Sequence, residues 1–285
     1  MRCRNCITAL NFGRFVLVAA FALSSTYGSG QRLAILAPDE SSTAPIIADS
    51  LAQLISDQMK VLDRDQVATA FKSVSIDNPF NMTMSEARHA ADAIGGDHLL
   101  LVRSGRLRRT SFVKPEYYEA WTALYLVDGR SGEMIDWSLK SVQAADQATA
   151  DRLLSSSLPV IAKEVASKLR DREKSRSRPK MEEISSGDSD PSRDLKPPVP
   201  YRRIKPAYTE SAFLYDIRAT VDLEVDISAA GSVENIRVVR WAGFGLDESA
   251  IKAVRDMNWR PAMRDGTPLA MRVLLRYNFT KVEKE

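Results

Sequence analysis

Cysteine and histidine, the usual metal and redox ligands, are scarce in this chain. Its 285 residues include two cysteines and two histidines, and both cysteines, Cys3 and Cys6, precede an apolar run near the N-terminus. The chain beyond that run has no cysteine, so it can form no internal disulfide. His89 and His98 have no second histidine or cysteine at the spacing of zinc ligands. The sequence therefore predicts no metal site and no cofactor.

Enzyme motifs are absent as well. The chain contains no GxxxxGK[ST], GxGxxG, GxSxG or HExxH, the motifs of phosphate binding, nucleophilic catalysis and zinc-dependent hydrolysis. Its neighbouring carboxylates, Asp63 with Asp65 and Asp247 with Glu248, stand where helices are predicted to begin, and helix caps and solvated acids are common there. We therefore expect a protein that is not an enzyme.

An excess of one charge is also lacking once the N-terminus is set aside. The chain has 40 basic and 37 acidic residues, and three of the arginines, but no acid, lie within residues 1–30. The remainder is neutral. The formal charge of +3 therefore gives no reason to expect nucleic acid as a partner.

Residues 1–30 have the pattern of an export signal. Three arginines come before or beside a short apolar run, residues 15–23, and small and polar residues follow it. A membrane-spanning helix needs about 20 apolar residues, and this run is much shorter. We expect a periplasmic location and cleavage before Gln31, where Gly28 and Gly30 supply the small residues, with Ala22 and Ser24 as the alternative small-residue positions. The alternative is an uncleaved anchor, which would make the chain a single-pass inner-membrane protein facing the periplasm.

Residues 31–169 predict an α/β sandwich domain. A short apolar strand is followed by segments of helical period, and three later strands surround the turn cluster DGRSGE. The segments RLAILAP, VLDR, IGGDHLLLV and LVDGRSGE resemble the small periplasmic domain at the front of TolB and of the CsgG-like secretion proteins. This resemblance covers residues 32–169 and implies the same α/β fold. An unrelated α/β domain is the open alternative.

Residues 170–205 predict a disordered linker. This stretch is rich in charged residues, serine and proline and has scarcely any large apolar side chain. Such a composition cannot bury enough apolar surface to offset the entropy of ordering the chain.

Residues 206–285 predict a small antiparallel sheet crossed by one helix. Apolar and polar side chains alternate strictly through residues 219–227, and apolar residues recur at every second position through residues 269–279, which is typical of half-buried strands. Between them, Gly231 closes a turn into a second strand, and residues 245–259 have the period of a helix. The order β-β-α-β makes the whole chain an α+β protein.

This last segment resembles the C-terminal domain of the TonB family. The family pattern has a Pro-x-Tyr opening, a Val-Asp…Gly-x-Val hairpin, a Leu-Asp helix, a Trp-x-Pro-Ala…Gly-x-Pro corner and a closing aromatic strand. The matching residues are Pro206, Tyr208, Ala212, Val225, Asp226, Gly231, Val233, Leu246, Asp247, Ala250, Val254, Trp259, Pro261, Ala262, Gly266, Pro268 and Phe279. Thr209 departs from the pattern, because the family usually has a second proline there.

The corner WRPAMRDGTPL is predicted to be structural. Trp259 stands at a helix end, where its large ring can cover the sheet. Pro261 stops the helix, and the segment RDGTP supplies turn residues before the last strand.

The resemblance also implies a way of binding. TonB-family domains contact outer-membrane transporters by pairing a strand with a short receptor segment, so an envelope protein, for example an outer-membrane receptor, is the expected partner. The candidate partner-binding residues are on the last strand: Arg272, Leu274, Arg276 and Asn278. An equal alternative is that the two arginines only protect a strand edge from aggregation.

The order of the segments favours one of two roles. The family's energy transducers have an uncleaved inner-membrane helix that engages an ExbB–ExbD motor, followed by a long proline-rich stalk. Here a predicted domain of residues 31–169 stands where that stalk would begin. We therefore expect a periplasmic adaptor in envelope transport or assembly, and the motor is a partner only in the alternative of an uncleaved anchor.

Overall fold

The structure is a computed structural model that describes residues 31–39, 41, 43–113, 115–176 and 195–281. The predicted signal or anchor, residues 1–30, lies outside the described residues, as does the middle of the predicted linker, residues 177–194. Within the described part, no helix combines the length and the apolar character needed to cross a membrane.

The first sheet has five strands in the order β2-β1-β3-β4-β5. The strands are β1 (Arg32–Leu36), β2 (Lys60–Val61), β3 (His98–Arg109), β4 (Tyr117–Asp128) and β5 (Met134–Ala144). β1 runs parallel to both of its neighbours, whereas β3, β4 and β5 form an antiparallel meander. The strands predicted around DGRSGE are therefore present, with β3 added to their hairpin.

Four helices accompany this sheet: α1 (Ala44–Ile55), α2 (Arg64–Lys72), α3 (Met84–Ile94) and α4 (Gln147–Arg176). α1 and α4 bury Leu51 and Leu154 against one face of the sheet, together with Leu100 of β3. α2 and α3 pack on the opposite face beside β1 and β3, so the first region is the predicted α/β sandwich. α2 and α3 do not cover the part of that face on β4 and β5, and the C-terminal region packs there.

The second sheet has three antiparallel strands in the order β13-β8-β9. Its strands are β8 (Ala219–Ile227), β9 (Val233–Arg240) and β13 (Met271–Phe279), and α6 (Leu246–Arg255) packs across them. The inward side chains of β8, among them Val221 and Leu223, are fully buried. The predicted β-β-α-β order and the α+β class are confirmed.

The predicted linker is shorter in the structure at both ends. α4 continues through residues 170–176, because arginine, lysine and glutamate favour helix and because Arg172 binds the buried Asp128 at 3.1 Å and Glu133 at 2.7 Å. At the other end, β6 (Leu195–Lys196) pairs with β11 (Ala262–Arg264), and β7 (Val199–Pro200) pairs with β10 (Trp259–Arg260).

The corner after α6 is a small hairpin. β11 pairs with β12 (Thr267–Leu269), and Asp265 and Gly266 make the turn with φ of 49° and 80°. Trp259 is 3% exposed. Its backbone carbonyl oxygen is so close to Gly231 that a Cβ on Gly231 would lie 2.3 Å from it. The corner therefore holds the β8–β9 turn against the end of the helix, a structural role.

Thr209 replaces the family's proline with a helix cap. It precedes α5 (Glu210–Leu214) and accepts a hydrogen bond from the backbone N–H of Ala212 at 3.2 Å. Its hydroxyl also donates to the carbonyl of Phe244 at 2.6 Å, so the opening segment is fixed to the loop before α6.

Candidate protein-interaction edge

The C-terminal sheet has two edges, β13 and β9, and their contacts with the other described residues differ. β13 pairs through all nine of its residues with β8, and no described strand pairs with its outer side. An unpaired strand edge presents backbone N–H and C=O groups that can bind an extended segment of another chain. β13 is therefore a candidate interaction edge.

The opposite edge, on β9, meets the α/β region at its end. Arg240 forms an isolated antiparallel bridge with Thr83, and the N–H of Trp241 donates to the carbonyl of Met82 at 3.3 Å. The guanidinium of Arg240 also donates to the carbonyl of Asn81 at 2.8 Å. A strand that paired with the whole length of β9 would have to displace this contact.

Asn81 extends the sheet where β9 has ended. Its side-chain amide donates to the carbonyls of Thr220 and Trp241, both at 2.7 Å, and accepts from the N–H of Thr220 at 2.9 Å. Thr220 belongs to β8, and the pairing of β8 with β9 stops at Asp222. The side chain of Asn81 thus takes the place of a missing backbone partner.

The four predicted partner-binding residues lie together on the outward face of β13. Leu274 is 60% exposed, and Asn278 accepts a hydrogen bond from the hydroxyl of Thr220 at 2.9 Å. The structure brings all four into one row, since they alternate along a single strand.

The two arginines of this row form bidentate ion pairs within the sheet. Arg272 binds Asp226 through two hydrogen bonds of 2.6 and 2.9 Å, and Arg276 binds Asp222 through two of 2.7 and 2.9 Å. The hydrogen bonds from Arg272 lower the pKa of Asp226 below its ordinary value. These pairs order the arginine side chains along the edge.

A groove of about 440 Å³ runs along β13 and is lined by residues from both of its faces. Its walls are mainly apolar and come from β13, the corner and the segment before α5: Pro197, Pro198, Val199, Pro200, Arg203, Ile204, Met257, Trp259, Val273, Leu274, Leu275, Arg276 and Tyr277. Prolines at 197, 198 and 200 have no N–H to donate, so this segment is poorly suited to pair with β13 itself.

An aromatic cluster joins the two sheets. Trp241 and Phe244 lie over Tyr125 of β4, with ring centroids 5.7 and 6.5 Å apart, and Phe244 stacks on Trp137 of β5 at 5.4 Å. The loop between β9 and α6 approaches so closely that a Cβ on Gly243 would lie 2.9 Å from the Tyr125 ring. Each such ring pair contributes about 0.5–1.5 kcal/mol beyond its buried area.

A buried carboxylate supports the same contact. Glu119, on β4, accepts hydrogen bonds from Ser141, from the hydroxyl of Tyr215 at 2.6 Å and from Arg109. Burial acts to raise the pKa of Glu119, but these hydrogen bonds outweigh it and the pKa is lowered. Burial and the bond to Glu119 raise the pKa of Tyr215 to about 12. The pair therefore stays an anion with a neutral phenol at neutral pH.

Sequence reasoning missed this contact between the two regions. The signal was the segment WAGFG, residues 241–245, in which two large aromatic residues occupy a glycine-rich loop. A loop of that kind usually runs over the surface, so buried rings there indicate a partner surface.

The acidic and histidine candidates have structural positions. Asp63 caps α2 by accepting from the N–H of Gln66 at 2.9 Å. Asp247 is 4% exposed rather than solvated, and it accepts from the N–H groups of Ala242 and Gly243. Burial raises the pKa of Asp247 to about 7 although both N–H groups act to lower it.

The two histidines differ in burial. His89 is exposed on α3, and His98 is fully buried at the start of β3. Among the described residues, no group of three or more histidines, cysteines or acids is arranged to hold a metal ion.

Comparison with known proteins assigns the C-terminal segment. Residues 204–280 match the family described as Gram-negative bacterial TonB protein C-terminal. These residues are a TonB C-terminal domain, as the pattern from Pro206 to Phe279 implied. The match supports, at a coarse level, a role in protein interaction in the cell envelope. No curated protein matches the chain.

Solved structures are similar to parts of the chain. The C-terminal domain of TonB from Pseudomonas aeruginosa is 22% identical with a TM-score of 0.27, over 33% of this chain and 93% of that one. Lipoprotein GNA1162 from Neisseria meningitidis is 16% identical with a TM-score of 0.33, over 47% and 99%. The C-terminal domain of LpoB from Salmonella enterica is 15% identical with a TM-score of 0.29, over 40% and 84%. The resemblance of residues 32–169 to TolB and CsgG-like domains stays a prediction.

Proposed function

We propose that this is a non-catalytic periplasmic protein that binds an envelope partner by pairing β13 with an extended segment of that partner, in outer-membrane transport or assembly. The observation that carries the proposal is the asymmetry of the C-terminal sheet. β13 pairs on one side only among the described strands, whereas the end of β9 meets Met82 and Thr83.

The groove supports the same edge. A strand added beside β13 would direct alternate side chains to opposite faces of the sheet. One set would enter the apolar groove beside Trp259 and Tyr277, and the other would lie along the row that contains Leu274. Backbone pairing supplies affinity in this mode of recognition, and the side-chain pockets supply specificity.

The α/β region has a supporting role in this proposal. The aromatic cluster and the three hydrogen bonds of Asn81 hold the C-terminal sheet in one orientation. A binding edge that is ordered before the partner arrives loses less conformational entropy on binding. This arrangement suits an adaptor that presents the edge at a fixed angle. The inner-membrane energy transducer is the alternative role.

Photo-crosslinking in living cells tests the proposal. A benzoylphenylalanine residue is placed at position 274 or, as a control, at position 160 on α4, since Leu274 and Val160 are 60% and 59% exposed. We expect a specific adduct with an envelope protein from position 274 and none from position 160. No adduct at 274, or the same adducts at both positions, would contradict binding at β13.

A further inference from the structure

Charge on the outward face of the C-terminal sheet alternates in sign from strand to strand. Basic side chains stand on the two outer strands, and acidic side chains stand on the central strand between them. The rows across the sheet, in the order β9, β8 and β13, are Asn235, Asp226, Arg272; Arg237, Glu224, Leu274; and Arg240, Asp222, Arg276.

The ion pairs follow this alternation. Asp222 binds Arg276 at 2.7 Å on one side and Arg240 at 3.3 Å on the other. Opposite charges that face each other across neighbouring strands stabilise a sheet, and like charges destabilise it. The basic row of β13 lies at the edge, so the favourable continuation of the pattern is an acidic row on the next strand.

The middle of the β13 row is apolar. Leu274 stands between Arg272 and Arg276 and is 60% exposed. A side chain directly opposite it would cover apolar surface. The other face of β13 borders the groove that includes Trp259 and Tyr277, so side chains directed there also meet mainly apolar surface.

We infer that the segment recognised by β13 has an acidic residue at positions i and i+4, an apolar residue at i+2, and apolar residues at i+1 and i+3. The acids face Arg272 and Arg276, the central apolar residue faces Leu274, and the remaining two enter the groove. The pattern is the same in both chain directions, so it holds for parallel or antiparallel pairing. This inference rests on the proposed function, because it requires a strand to pair with β13.

The distances of strand pairing allow these contacts. Directly opposite residues have Cβ atoms about 4.5–5.5 Å apart, within reach of a carboxylate and a guanidinium. Arg276 binds Asp222 through Nε and Nη2, and a guanidinium has a further nitrogen, Nη1, with two N–H groups. An acidic partner residue can therefore be bound without breaking the pair with Asp222.

Binding of synthetic peptides to the full-length chain in detergent tests the inference. The peptide Ser-Glu-Val-Leu-Val-Glu-Ser is compared with versions in which both glutamates become glutamine or lysine. Two favourable cross-strand charge pairs correspond to roughly a 2- to 30-fold tighter binding of the glutamate peptide than of the glutamine peptide. The lysine peptide should bind more weakly than both. Fluorescence anisotropy of a labelled peptide gives the three values of Kd.

N-methylated peptides separate failure of this inference from failure of the proposed function. Methyl groups on the two valine nitrogens, or on the leucine and glutamate nitrogens, block the N–H groups of alternate residues. Pairing with β13 requires one of these sets and not the other. If one set abolishes binding and the three charge versions bind equally, the acidic pattern is wrong and edge pairing stands. If both sets bind alike, both proposals are wrong. If no peptide binds, the inferred pattern is wrong, and the crosslink from position 274 decides the proposed function.

A protein variant tests the charge contact from the other side. The preference is the ratio of the Kd of the glutamine peptide to the Kd of the glutamate peptide. Arg276→Gln should reduce this ratio to about its square root, since one of two charge pairs is lost. Asp222 keeps Arg240 in this variant, so the sheet retains an ion pair there. Arg237→Gln is the matched control, because Arg237 is on the same face but on β9, two strands from β13. An equal loss of preference in both variants would overturn the inference.

Discussion

Replacing Asn81 by alanine tests how firmly the C-terminal domain is held to the α/β region. The substitution removes three hydrogen bonds, two donated to the carbonyls of Thr220 and Trp241 and one accepted from the N–H of Thr220. Each contributes about 1 kcal/mol to stability, and the backbone groups left behind are shielded from water. We therefore expect the free energy of unfolding to fall by about 3 kcal/mol, or Tm by about 6–12 °C for a chain of this size.

Urea unfolding followed by tryptophan fluorescence measures this loss, because Trp241 lies in the contact itself. Asn235→Ala is the control: Asn235 is exposed and makes one bond of 3.3 Å to Asp226, so its loss should change stability by less than about 0.5 kcal/mol. Asn81→Asp keeps the acceptor but places a carboxylate oxygen against the carbonyls of Thr220 and Trp241, so it should be about as damaging as alanine. An Asn81→Ala protein as stable as the Asn235→Ala protein would refute the reasoning.

Two further predictions concern the ionised contact and the N-terminus. The pKa of Glu119 is lowered from 4.5, so its stabilising effect is present above pH 4.5 and is lost as pH falls through the lowered value. Tyr215→Phe should therefore destabilise the protein by a constant amount near pH 7 and by progressively less below pH 4.5, in urea unfolding at each pH. Asp247 has a raised pKa and titrates in both proteins, so its contribution cancels when the two free energies of unfolding are subtracted. A difference in unfolding free energy that does not change with pH would contradict the ionised state of Glu119 in this contact. N-terminal sequencing of the exported protein should begin at Gln31, whereas an intact N-terminus in the membrane fraction would favour the energy transducer.

The C-terminal fold could be predicted because its signals are local. The alternation of Val221, Leu223 and Val225 with polar residues indicates a strand wherever that strand lies. Gly231 and the helix before Trp259 then fix the order of the elements. The candidate row on β13 was found for the same reason, since alternation along one strand decides which side chains share a face.

The predicted linker failed at its ends because composition describes a segment only on average. Residues 170–176 are polar, yet they continue a helix that is already formed, and adding residues to a formed helix is easier than starting one. Val199 lies in a proline-rich segment but pairs with Arg260. The disorder was predicted from the low apolar content of the segment. Neither the helix at residues 170–176 nor the pairing of Val199 depends on that content.

The sequence by itself determined that residues 219–279 form a β-β-α-β unit and that one face of its last strand is Arg, Leu, Arg and Asn. Only the tertiary structure decided that the end of β9 meets Met82 and Thr83, while no described strand pairs with the outer side of β13. Asn81 meets Thr220 across 139 positions of chain, and Glu119 meets Tyr215 across 96. Strand alternation and helical period report on neighbours a few residues apart, so contacts at such separations leave no pattern in either segment alone.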